Sequence, residues 1–162
     1  MKLKYLIQKA KPKDAQGIHE VILTAFEEFR YFYSPEGFTD TVMSEKAVEK
    51  RIENMTIYIA VDQNGGIIGT IGWKKLSEKE GHIRGMAVHP KMQGKESPAT
   101  ELLRKVEEDA RSQGCSFLTL DTTEVLLRAQ NFYRKNGFRK TSKTSDFFGA
   151  TVYEFAKKIS TK

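Results

Sequence analysis

The sequence predicts an α/β fold in which helices flank a central mixed sheet. Three observations carry this prediction: an N-terminal strand followed by helical segments, a three-stranded meander in mid-chain, and a strand–helix–strand run after it. The predicted order is β-α-α-β-β-β-α-β-α-β-β, and a meander followed by a β-α-β unit requires antiparallel and parallel pairs in one sheet. The 162 residues suffice for one domain, 1–162, whose core needs neither disulfides nor metals.

The first part of this order rests on apolar periodicity and on residues that begin helices. The stretch KLKYLIQKA alternates well enough to predict the first strand. Asp14 is predicted to cap a first helix, whose apolar face begins at Ile18. The run SPEG at 34–37 is predicted to break the chain, and a second helix is predicted to begin near Ser44.

The rest of the order follows from glycine and proline positions between apolar segments. The stretch MTIYIAVDQNGGIIGTIGWKKL is typical of a hairpin with its turn at 64–66, and GHIRGMAVHP adds a strand ending at Pro90. SPATELLRKVEEDARSQG predicts a helix terminated by Gly114, and SFLTLDT predicts a short buried strand. TEVLLRAQNFYRKNGF predicts a helix that ends at Gly137, and RKTSKTSDFFGATVYEFAKKI predicts two closing strands about Gly149.

Composition and cysteine usage predict a cytoplasmic protein. Hydrophobic residues make up 39% and charged residues 30%, which is typical of a folded globular chain. No apolar run approaches the roughly 20 residues that span a bilayer. The N-terminal MKLKYLIQKAKPKD has only YLI as its apolar part, so no signal peptide is predicted. Cys115 is the single cysteine, which fits a reducing compartment, and it is predicted to be a buried structural thiol.

The charge pattern and the missing motifs exclude several function classes. The net charge of +6 comes from 27 basic and 21 acidic residues scattered along the chain, which does not favour nucleic-acid binding but suits a phosphorylated ligand. Three histidines without cysteine or carboxylate at ligand spacing predict no metal site. No G-x-G-x-x-G, Walker A or G-x-S-x-G motif is present, so dehydrogenase, NTPase and hydrolase functions lack support.

Three local patterns, taken in order, carry a family resemblance over nearly the whole chain. MAVHPKMQGK is similar to a V-x-P-x-x-[QR]-G strand exit, and the helix after it has paired leucines at 102–103. RAQNFYRKNGF fits an A-x-x-x-Y-x-x-x-G-F pattern at Ala129, Tyr133 and 137–138. Together these patterns resemble the GNAT superfamily of acyl-CoA-dependent N-acetyltransferases.

The resemblance implies an enzyme that moves an acetyl group from acetyl-CoA to a primary amine of a small molecule or peptide. It implies direct attack by the amine in a ternary complex, and it is compatible with a homodimer. Two alternatives stay open: a non-catalytic acyl-CoA-binding or partner-binding domain that has this fold, and a basic nucleic-acid-binding module. Turnover of acetyl-CoA with amines separates the first alternative from the enzyme, and salt-dependent binding to DNA or RNA tests the second.

The stretch around QGKESPATELL is predicted to bind the pyrophosphate of acetyl-CoA. A strand that runs into a helix N-terminus directs free N–H groups and a positive dipole at one point, which suits an anion. The resemblance further implies that the backbone of two strand residues lies along pantetheine. The predicted cofactor-binding residues are Met86, Val88, Gln93, Gly94, Lys95, Ser97, Ala99, Thr100 and Ala129.

This loop departs from the family pattern by one residue. The spacing read forward from Val88 and the spacing read backward from the leucine pair disagree by one, which places the addition among Glu96, Ser97 and Pro98. Pro98 lacks an N–H but suits the first position of a helix, with Ser97 as its cap. Because one donor to a charged group is worth about 1.5–3 kcal/mol, cofactor binding is predicted to be retained but atypical.

The resemblance implies two catalytic residues. Tyr133 is at the position of the general acid that protonates the departing thiolate, the alternative being a core tyrosine. His82 stands where family members with a side-chain base often have a glutamate, and Glu80 is the second choice. Leu126 replaces a frequent asparagine of the family, and Asn131 is predicted to face elsewhere and not to substitute for it.

The acceptor side is predicted to involve the aromatic and acidic stretch AFEEFRYFYSPEGFTD. The resemblance places the first two helices and their link at the acceptor cleft, which implies contacts from Phe29 and Tyr33. Trp73 is predicted either to line the same cleft or to pack in the core. Aromatic rings with carboxylates suit a cationic amine, although core packing with a solvated acidic edge explains the same residues.

Overall fold

The computed structural model describes residues 4–94 and 97–159, and a seven-stranded sheet runs through them in the order β1-β2-β3-β4-β5-β7-β6. The strands are β1 (Tyr5–Lys9), β2 (Thr56–Asp62), β3 (Ile67–Lys75), β4 (Glu80–Val88), β5 (Phe117–Thr123), β6 (Arg139–Phe147) and β7 (Ala150–Lys158). The β4–β5 pair is parallel and the other pairs are antiparallel. The predicted mixed sheet of seven strands is therefore confirmed.

Five α-helices flank the sheet in the described part of the chain. They are α1 (Ala15–Phe26), α2 (Pro35–Thr41), α3 (Glu45–Asn54), α4 (Ala99–Ser112) and α5 (Leu127–Lys135). Short 3₁₀ turns lie at Pro12–Asp14, Glu27–Phe32 and Pro90–Met92. The helices predicted from SPATELL and RAQNFYR are confirmed, and the helix predicted near Ser44 begins there, with Ser44 Oγ accepting the Ala47 N–H at 3.2 Å.

Two details of the predicted helices are wrong. The run at 34–37 does not break the chain but begins α2, because Ser34 Oγ accepts the Gly37 N–H at 3.1 Å and proline suits a first turn. Asp14 does not cap α1 with its side chain. Its carboxylate instead accepts the Lys11 N–H at 2.8 Å, which closes the 3₁₀ turn before the helix.

Two hydrophobic clusters cover the two faces of the sheet. On one face α4 buries Leu102, Leu103 and Val106 against the strands. On the other face α1 and α3 bury an aliphatic group that includes Ile18 and Val48. This second layer covers the face that carries the even-numbered residues of the first half of β4. The predicted burial of the Cys115 thiol is confirmed, since Cys115 is 0% exposed within the α4 cluster.

The parallel β4–β5 pair separates halfway along its length, and this separation positions the site. Residues 80–83 pair with 117–120, and no further β4–β5 pairing follows in the described part of the chain. The β3–β4 register also shifts between Thr70 and Gly72, opposite a β4 backbone in which Gly85 has φ +68°. A bulge of this kind turns a strand away from its neighbour. The β4 edge at 84–88 therefore faces an open cleft.

Candidate active site

A cleft of about 1580 Å³ fills the space between the separated strands. Its walls are the open edge of β4, the end of β5, the N-terminus of α4, one face of α5, and the segment that follows α1. Because β4 pairs with β3 on one side only beyond residue 83, its backbone N–H and C=O groups on the other side face the cleft. Such an edge can hydrogen-bond an extended ligand as a strand would.

The loop between β4 and α4 forms one end of the cleft. Gly94 adopts φ +101°, and its carbonyl accepts the Ser97 N–H at 3.1 Å. Ser97 Oγ accepts the Ala99 N–H at 3.1 Å, so one of the first N–H groups of α4 is already used by the chain itself. Pro98 accepts the Leu102 N–H at 2.9 Å and occupies the N-cap, one position earlier than predicted. The start of α4 is therefore formed by Ser97 and Pro98, and Ala99 is the first helical residue.

Eight of the nine predicted cofactor-binding residues line this cleft. They are Met86, Val88, Gln93, Gly94, Ser97, Ala99, Thr100 and Ala129. Lys95, the ninth, lies outside the described residues together with Glu96. The arrangement fits an acyl-CoA in two ways, through the open β4 edge and through the helix N-terminus at its end. The buried hydroxyl of Thr122 also lines the cleft and has no hydrogen-bond partner among the described residues.

Tyr133 projects from α5 into the cleft lining in apolar surroundings. Its side chain is buried, 6% exposed, between Phe132 and Phe138, whose ring centroids lie 5.5 Å and 5.6 Å from its own. The hydroxyl donates to the thioether sulfur of Met86 at 3.3 Å. Burial raises the pKa of the phenol, so the hydroxyl keeps its proton at neutral pH. A weak thioether acceptor is easily replaced by a stronger one.

His82 is held by a chain of hydrogen bonds across the paired part of β4 and β5. The Thr119 hydroxyl donates to Glu80 Oε2 at 2.7 Å, and Thr119 Oγ1 lies 2.7 Å from His82 Nδ1. A hydroxyl has one proton to donate, so Thr119 accepts from His82 and the proton of the neutral imidazole is on Nδ1. His82 Nε2 is then an unprotonated acceptor, 3.6 Å from Asp121 Oδ2.

The charge state of His82 follows from its burial. Desolvation lowers the pKa of the imidazole and outweighs the opposing effect of the Asp121 carboxylate, while Arg84 lowers the pKa further. The imidazole is therefore neutral at pH 7, with a free lone pair on Nε2 beside the cleft. This is the protonation state of a general base. Glu80, the second choice for that role, is occupied as the acceptor of Thr119.

The aromatic wall of the cleft contains two of the three predicted acceptor-side residues. Tyr33 lines the cleft, its hydroxyl lies 3.0 Å from Thr123 Oγ1, and burial raises the pKa of its phenol. Phe29 also lines the cleft. The placement of Trp73 in the cleft is wrong: it is 1% exposed in the α4 cluster, and its Nε1–H donates to Asp109 Oδ2 at 2.9 Å. Trp73 is thus a core residue.

A second correction concerns the end of the cleft near α5. Asn131, predicted to face elsewhere, lines the cleft together with Leu126. Leu126 is the N-cap of α5 with a non-helical backbone, so helical spacing does not relate the two side chains. Gln130 fixes the position of this helix, since its Nε2 donates to the Thr123 carbonyl at 3.0 Å.

The comparison with known families agrees with this geometry. The family model described as "Acetyltransferase (GNAT) family" matches residues 16–138, which is most of the chain. This chain belongs to the GNAT acetyltransferase family. A search of curated protein sequences gives no significant match.

Solved structures with the same fold include other members of this family. A GNAT-family acetyltransferase of Staphylococcus aureus Mu50 is 20% identical with a TM-score of 0.78, and the match covers 96% of this chain and 99% of that one. The PaiA N-acetyltransferase of Thermoplasma acidophilum, solved in complex with coenzyme A, is 19% identical with a TM-score of 0.81 over 95% and 98% of the two chains. Ard1 of Thermoplasma volcanium is 16% identical with a TM-score of 0.78 over 97% and 99%.

Among the polar residues in or next to this GNAT cleft, four with a part in its chemistry were not predicted from the sequence. Thr119 and Asp121 alternate with buried Leu118 and Leu120 in β5, so the pattern L-T-L-D carried a signal for a polar face opposite His82. Arg51 of α3 and Arg84 of β4 also line the cleft, and nothing in their local sequence marks them.

Neither a metal site nor a membrane-spanning helix is found in the described ranges 4–94 and 97–159. No group of three or more histidine, cysteine, aspartate or glutamate side chains there could hold a metal ion. No helix in these ranges is long and apolar enough to cross a membrane.

Proposed function

We propose that this GNAT protein transfers an acetyl group from acetyl-CoA to a primary amine, by direct attack of the amine in a ternary complex. The observation that carries the proposal is the convergence of an open strand edge, a helix N-terminus, the Tyr133 hydroxyl and the His82 imidazole on one cleft. An acyl-CoA needs backbone partners for pantetheine, N–H donors for its phosphates and an acid at its sulfur, and the cleft offers each of them.

The cofactor would lie along the β4 edge, with its pyrophosphate at the loop that ends in Ser97. The backbone at Met86 and Val88 would bind the pantetheine amides, and the N–H groups at Gly94 and Thr100 would face the phosphates. Acetyl-CoA, when bound, supplies the activated acetyl group and a thiolate leaving group. Because the Ala99 N–H already donates to Ser97 Oγ, the chain offers the phosphates one donor fewer than an uncapped helix start.

His82 would accept a proton from the acceptor amine. A neutral amine is the nucleophile, and an alkylammonium near neutral pH must lose a proton before it attacks. Nε2 is the free lone pair of the ring, since Nδ1–H is held by Thr119 and Thr119 in turn by Glu80. The Glu80 and Asp121 carboxylates also stabilise the positive charge that develops on the ring, because both are near it.

Tyr133 would donate its hydrogen bond, and then its proton, to the departing sulfur. In water a phenol has a pKa of about 10 and a thiol a pKa of about 8.5, so the transfer is uphill by about 2 kcal/mol. Burial raises the pKa of the phenol further, so the phenol holds its proton firmly until negative charge develops on the sulfur. Tyr133 therefore acts first as a hydrogen-bond donor to negative charge on sulfur.

Calorimetry and turnover test this proposal in two steps. Titration of the protein with acetyl-CoA is expected to give saturable binding, and no heat at millimolar ligand would overturn the cofactor assignment. Release of free thiol from acetyl-CoA is then measured against a panel of primary amines. Binding of acetyl-CoA without turnover of any amine would favour the non-catalytic acyl-CoA-binding domain instead.

A further inference from the structure

Two arginines line the acceptor side of the cleft and form no ion pair within the described residues. Arg51 reaches the cleft from α3, and Arg84 belongs to β4, two residues beyond His82 on the same face of the strand. No hydrogen bond or salt bridge of either guanidinium occurs with the described residues. Two positive charges therefore lie near enough to repel each other, and their donor groups are unpaired among the described residues.

The surroundings of Arg51 make this arrangement unfavourable without an anion. Desolvation and, after it, repulsion by Arg84 lower the pKa of the Arg51 guanidinium to about 10, and only Asp40 acts in the opposite direction. The group remains charged at neutral pH. Keeping a partly desolvated charge beside a like charge costs stability, and a bound anion would offset that cost.

The backbone of β4 makes room for this guanidinium at the bulge. A Cβ built on Gly85 would lie 2.9 Å from Arg51 Nη1, and Gly85 has φ +68°, which side chains rarely tolerate. Gly85 directly precedes Met86, whose backbone is assigned above to pantetheine. The guanidinium of Arg51 therefore rests against the part of β4 where the acetyl group and the acceptor meet.

The opposite charge lies on the other side of His82. Asp121 Oδ2 is 3.6 Å from His82 Nε2, and both residues line the cleft. Along β4, His82 and Arg84 are about 6.6 Å apart, because strand residues two positions apart repeat at about that distance. An acceptor that bridges this span meets a base and a carboxylate at one end and two guanidinium groups at the other.

We propose that the acceptor is an amino acid or a similar zwitterion, whose carboxylate binds Arg51 and Arg84 while its amine faces His82 and Asp121. The inference rests on the proposed acetyl transfer and narrows its substrate class. A zwitterionic acceptor replaces the cationic amine that the stretch AFEEFRYFYSPEGFTD suggested. Arginine suits the role because its planar fork matches the two oxygens of a carboxylate.

Matched acceptor pairs test the inference by turnover. The pairs are tyrosine with tyramine, phenylalanine with phenethylamine, and lysine with cadaverine, which differ only by the carboxylate. We expect the wild type to prefer the amino acid of at least one pair in kcat/KM. Arg51→Gln and Arg84→Gln should each reduce that preference by roughly 10- to 100-fold, the factor for one lost hydrogen bond to a charged group. Arg51→Lys should also lose most of the preference for the amino acid.

Arg139→Gln is the matched control, since Arg139 is an exposed arginine of β6 outside the cleft. It should keep the wild-type preference. Equal or better turnover of every decarboxylated amine would overturn the inference and leave acetyl transfer intact. The same holds if the arginine variants, folded by circular dichroism, retain the preference for the amino acid.

Direct binding separates a failure of this inference from a failure of the proposed activity. If no acceptor is turned over, the protein saturated with coenzyme A is titrated by calorimetry with the same matched pairs. Binding of an amino acid that is weakened by Arg51→Gln and by Arg84→Gln supports the site without catalysis. Absence of binding for all amino acids of the panel in the wild type overturns the inference.

Discussion

The two ends of the cleft are built in different ways. The end proposed to bind the cofactor offers backbone groups from one continuous stretch, β4 and the loop that leads into α4. The acceptor end uses side chains from separate elements: Tyr33 after α1, Arg51 of α3, His82 of β4 and Asp121 of β5. A backbone site tolerates changes of side chain, whereas a side-chain site depends on each residue. This difference explains how the loop at 96–98 can depart from the family pattern while the geometry of the cofactor end persists.

The largest expected effect is at the junction of the two ends. Tyr133→Phe removes the one hydroxyl assigned to the departing sulfur, so kcat should fall by roughly 100-fold or more, the range of a lost general acid. The Kd of acetyl-CoA should stay close to that of the wild type. Thiol-release kinetics and calorimetry measure the two quantities.

Tyr153→Phe is the matched control for this change, because Tyr153 packs on β7 outside the cleft, with Lys140 Nζ 3.7 Å from its ring centroid. An unchanged kcat in Tyr133→Phe would return Tyr133 to the role of a core tyrosine. The cleft would then need another proton donor.

The next effect tests whether the acceptor end depends on individual side chains. His82→Gln removes the base and should lower kcat/KM by at least about 10-fold. Thr119→Val leaves the imidazole but breaks its link to Glu80, so a smaller loss is expected. His89→Gln serves as the control, since His89 accepts the Lys91 N–H on the turn after β4.

The kcat/KM values of the variants and the wild type are compared at a pH where the His82 imidazole is neutral. Equal rates for His82→Gln and wild type would mean that a water relay, not His82, accepts the proton. A loss in Thr119→Val that exceeds the loss in His82→Gln would contradict the hydrogen-bond chain described here.

A third change tests whether Trp73 belongs to the core or to the acceptor end. Trp73→Phe removes the indole N–H that donates to Asp109 and leaves that carboxylate with the Tyr58 hydroxyl alone. The free energy of unfolding should fall by about 2 kcal/mol, from the lost hydrogen bond and the smaller side chain. Urea denaturation measures this loss. A raised KM for the amine with unchanged stability would instead place Trp73 in acceptor binding.

A fourth change addresses the cofactor end. Ser97→Ala removes the side-chain acceptor of the Ala99 N–H at the start of α4, so stability should fall by about 1 kcal/mol. Because backbone groups form this end, the Kd of acetyl-CoA should change by less than about 10-fold. Ser112→Ala, at the opposite end of α4, is the control for a general effect on the helix. A far larger loss of affinity would mean that the Ser97 side chain binds the cofactor itself.

The smallest effect is the pH dependence of stability that His82 adds. Burial lowers the pKa of the folded imidazole below its unfolded value of about 6.5, so below that pH the unfolded chain binds a proton that the folded chain does not. Stability should therefore fall as pH falls through this range. The charged groups that act on His82 are the carboxylates of Asp121, Glu80 and Glu154 and the guanidinium of Arg84. Urea midpoints of wild type and His82→Gln, compared between about pH 5 and pH 8, isolate the contribution of His82. An equal slope in both proteins would contradict the burial of a neutral imidazole.

The sequence predicted the cofactor end better than the acceptor end, for a physical reason. Strand exits, caps and glycines are local, so the family resemblance could assign Gly94, Ser97 and Ala99 to the cofactor loop, and all three line the cleft. The errors at this level were local as well. The proline at 35 starts a helix and Pro98 occupies an N-cap, and in both turns a serine side chain accepts a backbone N–H. Trp73 was assigned less well, because the local sequence does not show whether an aromatic side chain on a strand packs in the core or lines the cleft.

What the sequence by itself determined is the order of the strands, the family and the residues whose position follows from a motif, Tyr133 among them. Only the tertiary structure decided which distant side chains meet. The parallel register that pairs His82 with Thr119 and the bulge at Gly85 that admits Arg51 arise from long-range pairing, and no local spacing encodes them. Register and bulges are set by the packing of whole sheets. The chemistry of the acceptor end therefore became visible only when the sheet was assembled.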